Sequence, residues 1–493
     1  MTDAAAAPPV HDPGFCAARH RPFILAAAIL ASALGLIDGS VVAIAMPAIR
    51  GSLDAGLVEA QWIVNAYMLT LSALILTGGA VADRFGLARV FGGGIALFVV
   101  ASLACAAAPT PEVLIAARAV QGAGAALMVP GSLALISRAY PRAERGRAIG
   151  TWAAASALTT ALGPVVGGVA LTAGGPEMWR WIFAVNLPLG ALALWLLWRH
   201  VGRDPADPRA PVDLLGAGTA TLGLGLIAVA LTGAEAGHAG PQGALALGAA
   251  GAAVLALFVV VEARSAHPML PLSLFRNRAF VAANAATFAL YFALSTVLFF
   301  LPMTAIGVWG VSEIAASAAF APLSVFIFLF SARAGRWADR IGPGPVIACG
   351  AALVAVGYAA LALTAPFQAF WTATLPAMAV AGLGMAAVVA PLSAAVMGAV
   401  SDDATAIASG VNNALSRTAG LVAVAAMGSV AAGVYAAAGG PESFAADTGG
   451  PAHAAATTAA FAVLAWGAAG LAGLSAVLAY AGLAAPAGGS AKR

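Results

Sequence analysis

Fourteen separate stretches of this 493-residue chain are long and apolar enough to cross a bilayer, and that number leaves few folds open. A helix needs about 20 mostly apolar residues to span a hydrocarbon core of roughly 30 Å. Divided at charge clusters and at Pro, Gly and Asp breaks, the spans fall at residues 22–46, 57–81, 90–108, 112–136, 147–173, 180–200, 213–233, 243–262, 280–304, 312–333, 345–365, 369–398, 408–436 and 456–484. The runs 369–398 and 408–436 exceed one bilayer thickness, which tilt or helical extension accommodates. Only 9% of the residues are charged and 62% are hydrophobic, whereas a soluble domain carries roughly 25% charged residues. A water-facing surface cannot be built from this composition, so the expected class is an all-α integral membrane protein.

Charge placement orients the spans. Arg19 and Arg21 precede the first span, and the loops after spans 2, 4, 6, 8 and 10 hold Arg84, Arg89, Arg138, Arg142, Arg145, Arg147, Arg199, Arg203, Arg209, Arg264, Arg276, Arg278, Arg333, Arg336 and Arg340. With Lys492 and Arg493 this puts 19 of the 23 basic residues on one side, against Arg50 and Arg180 on the other. The positive-inside rule then makes both termini cytoplasmic in the cell membrane, as an even number of spans also requires. Arg19 to Arg21 before an apolar run could also be read as a secretory signal, but that run breaks at Asp38 and thirteen spans follow, so the expectation is an uncleaved first helix.

Little polar mass remains outside the membrane. Residues 1–21 and the 437–455 loop are expected to be disordered or loosely ordered. A separate enzymatic or ligand-binding domain is excluded. Cys16, Cys105 and Cys349 lie far apart with no metal-ligand spacing, which argues against a disulfide framework or a metal site. There is no P-loop, so no nucleotide is expected, and the net charge of +3 does not suggest nucleic acid.

An internal repeat organises the spans. Gly79-Ala-Val-Ala-Asp83-Arg84-Phe-Gly86 returns as Gly335-Arg-Trp-Ala-Asp339-Arg340-Ile-Gly342 at an offset of 256. Gly122 and Gly124 return as Gly382 and Gly384 at 260, and Pro130 and Ser132 as Pro391 and Ser393 at 261. The pattern describes two parallel six-helix halves with two spans inserted between them. The expected division is a tail 1–21, a first bundle 22–200, an inserted pair with its loops 201–279, a second bundle 280–484 and a tail 485–493. Parallel repeats suit alternating access about a site near the midplane.

The candidate chemistry sits on few residues. Asp38 lies well inside span 1 without a charge partner on its own helix. A carboxylate there either holds a proton or pairs with a cation, and exchanging H+ for a cationic cargo would couple their movements. The plainer alternative is a structural ion pair. In span 4, Arg118, Gln121, Gly122 and Ala125 share one helix face. An arginine at this depth costs about 2.5 to 3.5 kcal/mol on insertion scales, so it should face a cavity or a carboxylate, with Asp38 the best-placed partner. Starting near Glu112, it could instead snorkel to the outer interface. Gly163, Pro164, Gly167 and Gly168 in span 5 allow close helix approach and a bend, for which packing alone is the default explanation.

The Asp83-Arg84 and Asp339-Arg340 loops carry charges able to pair across the cytoplasmic face and release, or else simply fix orientation. Arg417 shares a similar face with Asn412, Asn413 and Ser416, and either lines a cavity or stabilises interhelical hydrogen bonds. Trp62, Asn65 and Tyr67 open span 2, where an aromatic ring stacks on a lipophilic cation or anchors the helix at the interface. In the second bundle only Glu313 offers an acid, at the mouth of span 10, leaving Asp38 as the one deep acid.

Together these motifs resemble the major facilitator superfamily, and within it the fourteen-helix drug:proton antiporters. Gly79-x-x-Ala-Asp83-Arg84-x-Gly86 resembles motif A, Arg118-x-x-Gln121-Gly122-x-Gly124 resembles motif B, and Gly163-Pro164-x-x-Gly167-Gly168 resembles the core of antiporter motif C. Asp38 with Pro47, the run Trp179-Arg180-Trp181-Ile182-Phe183-x-x-Asn186-x-Pro188-x-Gly190, and Pro271 to Arg278 follow the same family, over residues 22 to 484. Motif A departs from the pattern: Leu87 and Ala88 stand where two basic residues usually follow Gly86, and only Arg89 remains. The resemblance implies a major-facilitator fold of two six-helix bundles plus two inserted helices. It implies proton-driven efflux of a lipophilic or amphipathic drug-like molecule by a monomer, with Asp38 and Arg118 coupling the proton and the proton motive force in place of a cofactor. The substrate cavity is expected to include Trp62, Asn65, Gln121, Asn412, Asn413 and Arg417. Rival readings are an exporter of an endogenous metabolite, lipid or peptide, and a non-transporting sensor or scaffold on the same fold.

Overall fold

The computed structural model describes residues 14–202, 204–233, 240–401, 404–446 and 450–483; Arg203, Lys492, Arg493 and the 485–493 tail lie outside the described residues, as does most of the 1–21 tail. The helices are α1 (Arg21–Leu53), α2 (Leu57–Phe85), α3 (Leu87–Ala106), α4 (Pro111–Ala139), α5 (Arg142–Gly174), α6 (Trp179–Ala184), α7 (Asn186–His200), α8 (Leu214–Gly233), α9 (Pro241–Arg264), α10 (Arg278–Gly307), α11 (Glu313–Ser317), α12 (Ala321–Ile341), α13 (Pro343–Thr364), α14 (Leu375–Gly398), α15 (Thr405–Ala437) and α16 (Pro451–Gly482). They make 14 segments long and apolar enough to cross a membrane, and no strand occurs among the described residues.

Prolines account for the main departures from smooth spans. The first helix does not stop before Pro47 as expected but continues to Leu53, because an internal proline removes only one hydrogen bond and packing holds the rest. The sixth span is divided at Val185, where Pro188 cannot donate to Ala184 four residues earlier. The tenth is divided at Ala318 to Phe320, and Pro322 opens the new helix in the first turn, where a missing N–H costs nothing. α15, at 33 residues, is about 50 Å long at 1.5 Å per residue and overshoots the hydrocarbon core.

Packing follows the repeat. In the first half α2 and α3 both pack on α4, and α5 and α7 on α1; in the second α12 and α13 pack on α14, and α15 and α16 on α10. The halves meet where α2 lies on α15 and where α5 lies on α11 and α12, with α1 against α10 between these seams. The α8–α9 hairpin covers only the first seam, α8 touching both α2 and α15.

The small-residue repeat explains the close approach. A Cβ on Gly124 would stand 2.7 Å from the Phe98 nitrogen of α3, and one on Gly384 would stand 2.7 Å from the Val354 nitrogen of α13. In each half the helix backbones therefore touch where a side chain would hold them apart.

The molecule has a basic end, where α1 begins and α2, α4 and α12 finish, and a far end opposite. Among the described residues, the side-chain hydrogen bonds joining the two halves all lie at the far end: Arg50 to the carbonyls of Phe444 and Ala445, Gln61 to the carbonyls of Val424 and Ala425, and Thr172 to Glu313. This is a conformation sealed at the far end. The 438–446 part of the α15–α16 loop is not loosely ordered as its composition suggests. Phe444 is 1% exposed and packs edge-on to Phe300, and Arg50 donates to its carbonyl at 2.9 Å. One aromatic anchor and one buried guanidinium supply what a glycine-rich loop lacks. Part of the first tail is likewise fixed, with Phe15 buried and its carbonyl accepting from Gly202 at 2.8 Å.

Candidate functional site

The charged residues of the first half come together in one buried network. Asp38 on α1 and Arg118 on α4 form an ion pair in which both side chains are almost wholly enclosed. Arg118 turns inward rather than to the interface. Its Nη1 also donates to Gln121 Oε1 at 2.6 Å and its Nε to the Ile63 carbonyl at 3.1 Å, while its guanidinium lies 4.3 Å from the Tyr67 ring centre. Gln121 Nε2 donates to the other Asp38 oxygen at 3.0 Å and to Ser102 Oγ at 3.3 Å. Ser102 in turn receives Asn186 Nδ2 at 2.8 Å and donates to the Phe183 carbonyl at 2.9 Å.

Helical spacing builds this arrangement. Arg118 and Gln121 are one turn apart and present both donors to the same face, and Gly122 beside them lets α2 approach closely enough for Tyr67 to lie under the guanidinium. Asn186 starts α7 just after the break at Val185, which aims its side chain at α3. A buried ion pair is stable only when its remaining donors and acceptors are satisfied, and here hydrogen bonds from α1, α2, α3 and α4 do that. Ser102 escapes sequence reading, since nothing about one serine in an apolar span marks it; Asn186 is visible only through the family-like run that contains it.

Gly163 and Gly167 of α5 lie against α1 on the turn that carries Asp38. A Cβ at Gly163 would meet Ser40 Oγ at 2.6 Å, and Gly167 faces Val41. Gly168 faces the second half: a Cβ there would stand 2.7 Å from the Glu313 carbonyl and 2.9 Å from Ile314 Cα. Pro164 is buried between them. One glycine face thus seals α5 to the acid-bearing turn and to α11.

Other expected site residues are placed elsewhere. Trp62 is not at the midplane; its Nε1 donates to Thr232 of the inserted hairpin at 3.1 Å. Asn65 is fully buried and neither atom of its amide has a partner. Asn412 donates to Asn284 at 3.2 Å and Thr287 at 2.8 Å, a bond network within the second half. Asn413 lies one turn before Arg417, and both are half-buried.

The motif A loops do not pair across the basic end. Asp83, Arg84, Arg89, Asp339 and Arg340 are exposed and form no ion pair with another described residue. The halves are joined at the far end instead, so among the described residues no motif A charge forms an ion pair with the other half; the ion pair at the basic end, Arg21 to Glu144 at 3.0 Å, lies within the first half. Gly79 has open space around it. Gly86 turns with φ +99°, a backbone that glycine tolerates, and its neighbours Ala88 and Arg89 donate their N–H groups to Asp204 at 3.2 and 3.0 Å. That aspartate caps α3, a role the sequence did not disclose. Asp38 is also not the only enclosed acid: Glu262, 2% exposed near the basic end of α9, accepts from the Leu270 N–H at 2.8 Å.

Two duplicated helical bundles, with a buried charge network inside one of them, define a multi-pass membrane transporter rather than an enzyme. The family model described as Major Facilitator Superfamily matches residues 28–425. The chain belongs to that superfamily. It is 34% identical to the Methylenomycin A resistance protein of Streptomyces coelicolor over 80% of this chain and 83% of that one. It is 32% identical to the Multidrug resistance protein Stp of Mycobacterium tuberculosis over 82% of this chain and 75% of that one. Among solved structures, a bacterial homolog to the human lysosomal transporter Spinster, inward-facing and unoccupied, superposes with a TM-score of 0.65 at 18% identity, covering 96% of this chain and all of that one. Members of the superfamily carry small-molecule substrates.

Proposed function

We propose that this transporter expels lipophilic or amphipathic drug-like molecules in exchange for protons, by alternating access, as a monomer in the cell membrane with the basic end and both termini in the cytoplasm. The proton motive force replaces any cofactor. The observation that carries the reading is the Asp38–Arg118–Gln121 network. When Asp38 is charged, Arg118 and Gln121 occupy one carboxylate oxygen each. When Asp38 takes a proton its attraction for Arg118 falls, and the guanidinium still has the Ile63 carbonyl, Gln121 Oε1 and the Tyr67 ring to rest on. Two states of similar internal satisfaction are what a switch requires.

The acid-bearing turn of α1 packs on Gly163 and Gly167, and the same α5 face reaches α11 through Gly168. A shift of α1 on protonation therefore bears on the seam between halves. Asp38 is enclosed here, so exchange with solvent belongs to the alternate conformation. Drug-like cargo is supported by the names of the relatives, methylenomycin A resistance and multidrug resistance. The 19 basic residues gathered at one side support the orientation.

The test is reconstitution in liposomes with an imposed proton gradient, across a panel of dyes and antibiotics, for wild type, Asp38→Asn and Arg118→Ala. Each charge moved is worth about 2.3 kcal/mol per 100 mV, enough for more than tenfold accumulation by one proton. Wild type should build such a gradient for at least one compound and Asp38→Asn should only equilibrate it. Undiminished accumulation in both variants at equal protein levels removes the coupling assignment.

A further inference from the structure

Arg417 is a cation within the bundle that the network leaves out and that, unlike the buried Arg50, finds no carbonyl to bind among the described residues. It forms no hydrogen bond or ion pair with any described residue, and its Nε is buried without a partner. It does not face lipid. On α15 the stripe that meets α2 runs from Gly410, which faces Leu76, through Ala414, packed with the first-half core, to Val424 and Gly428, which meet Gln61. Arg417 falls on that stripe, three residues from Ala414 and seven from Val424. α15 itself packs on α2 of the first half and on α10 of the second, so Arg417 stands at the seam between the halves.

An unpaired guanidinium at this depth needs a counter-charge, and among the described residues none is provided. Asp38 is taken by Arg118 and Gln121. Glu313 is bound to Thr172 at the far end and Glu262 to Leu270 at the basic end. Counting Asp38, Arg118 and Arg417, the embedded charge is one unit positive. Two further groups have unspent hydrogen-bonding capacity: the Asn413 side chain, one turn away on the same face, and the Asn65 amide, unpartnered at both atoms and one turn from Gln61 on the α2 face that meets Val424 of α15. A guanidinium flanked by amides suits a planar anion, which it can hold through two parallel hydrogen bonds.

We propose that the cargo is an amphipathic acid whose carboxylate or phenolate is received by Arg417 at the seam between α2 and α15, with Asn413 and Asn65 as positioning residues. This rests on the transport reading above and narrows its substrate class. Sending an anion out while a proton comes in moves two charges in the same electrical sense, so the membrane potential acts twice per cycle.

Binding is measured on the full chain in lipid nanodiscs, without any proton gradient, using three probes on one fluorescent aromatic scaffold: the carboxylic acid, its methyl ester and its quaternary-ammonium amide. The acid should bind wild type roughly tenfold more tightly than the ester. Arg417→Gln should bring the acid down to the ester's affinity and leave the ester unchanged, and Arg417→Lys should keep part of the preference. If Arg417→Gln does not fold, the wild-type series and Arg417→Lys decide. Equal binding of acid and ester by wild type, tightest binding of the quaternary amide, or an undiminished acid preference in Arg417→Gln overturns the proposal. Because no gradient is applied, failure of proton coupling would leave this result standing, and failure here would leave coupling untouched.

Discussion

The two halves share a backbone plan but not a chemistry. At the 260-residue offset that relates Gly122 and Gly124 to Gly382 and Gly384, Arg118 corresponds to Met378 and Gln121 to Ala381. Met378 is buried among apolar neighbours in the main core, where Arg118 is bound to Asp38. The glycines that let helices touch are kept in both halves; the charges are kept in one. Architecture can be duplicated wholesale because backbone approach demands only small residues, whereas a buried ion pair needs its own set of partners and, among the described residues, occurs in one half alone.

The largest effect should come from making the first half resemble the second. Arg118→Ala leaves Asp38 buried and uncompensated, and should lower stability by about 3 to 5 kcal/mol, read by thermal unfolding in detergent. The double variant Asp38→Asn with Arg118→Met should recover most of that loss yet show no proton-driven accumulation. Recovery of transport together with stability would mean that the asymmetry is ornamental.

A smaller effect tests the shared part of the plan. Gly124→Ala and Gly384→Ala should each cost about 1 to 3 kcal/mol by overpacking, and by similar amounts, because each added methyl meets a backbone nitrogen. Tolerance of one and not the other, seen in the same unfolding assay, would show that the halves pack differently after all. Smaller still, Gly86→Ala places an L-residue at φ +99° and against the Asp204 carboxylate, whereas Gly342→Ala at φ +87° meets no described cap of that kind. The first should exceed the second, both at the lower end of that range, about 1 kcal/mol. Least of all, Arg340→Ala removes an exposed charge without an ion pair and should change stability by less than about 0.5 kcal/mol.

Much of this was legible in the amino-acid sequence, and the limits have physical causes. Helix number follows from apolar run length, because bilayer thickness imposes one scale on every span. That Arg118 would seek Asp38 follows from the cost of leaving either alone in an apolar setting. Spacing along one helix, however, tells which residues share a face and not what that face meets. Ser102 and Asn186 become part of the network only once α3 stands beside α4 and α7 beside α3. For the same reason Trp62 could be read as a cavity ring or an interface anchor, and its indole N–H bond to the inserted hairpin had no local signal. The ordered 438–446 loop depended on Arg50, almost 400 residues earlier in the chain, which no local composition could signal.

The hairpin's tip has an unequal future in any cycle that parts the halves at their far end. Neighbouring residues hold it to opposite sides: Thr232 accepts from Trp62 of α2, and the Leu231 carbonyl accepts from Ser429 of α15. One of those two stitches has to come undone when the seam beneath it widens. The two additional helices therefore must ride as a passenger on one bundle and slide along the other, and whichever stitch survives names the carriage.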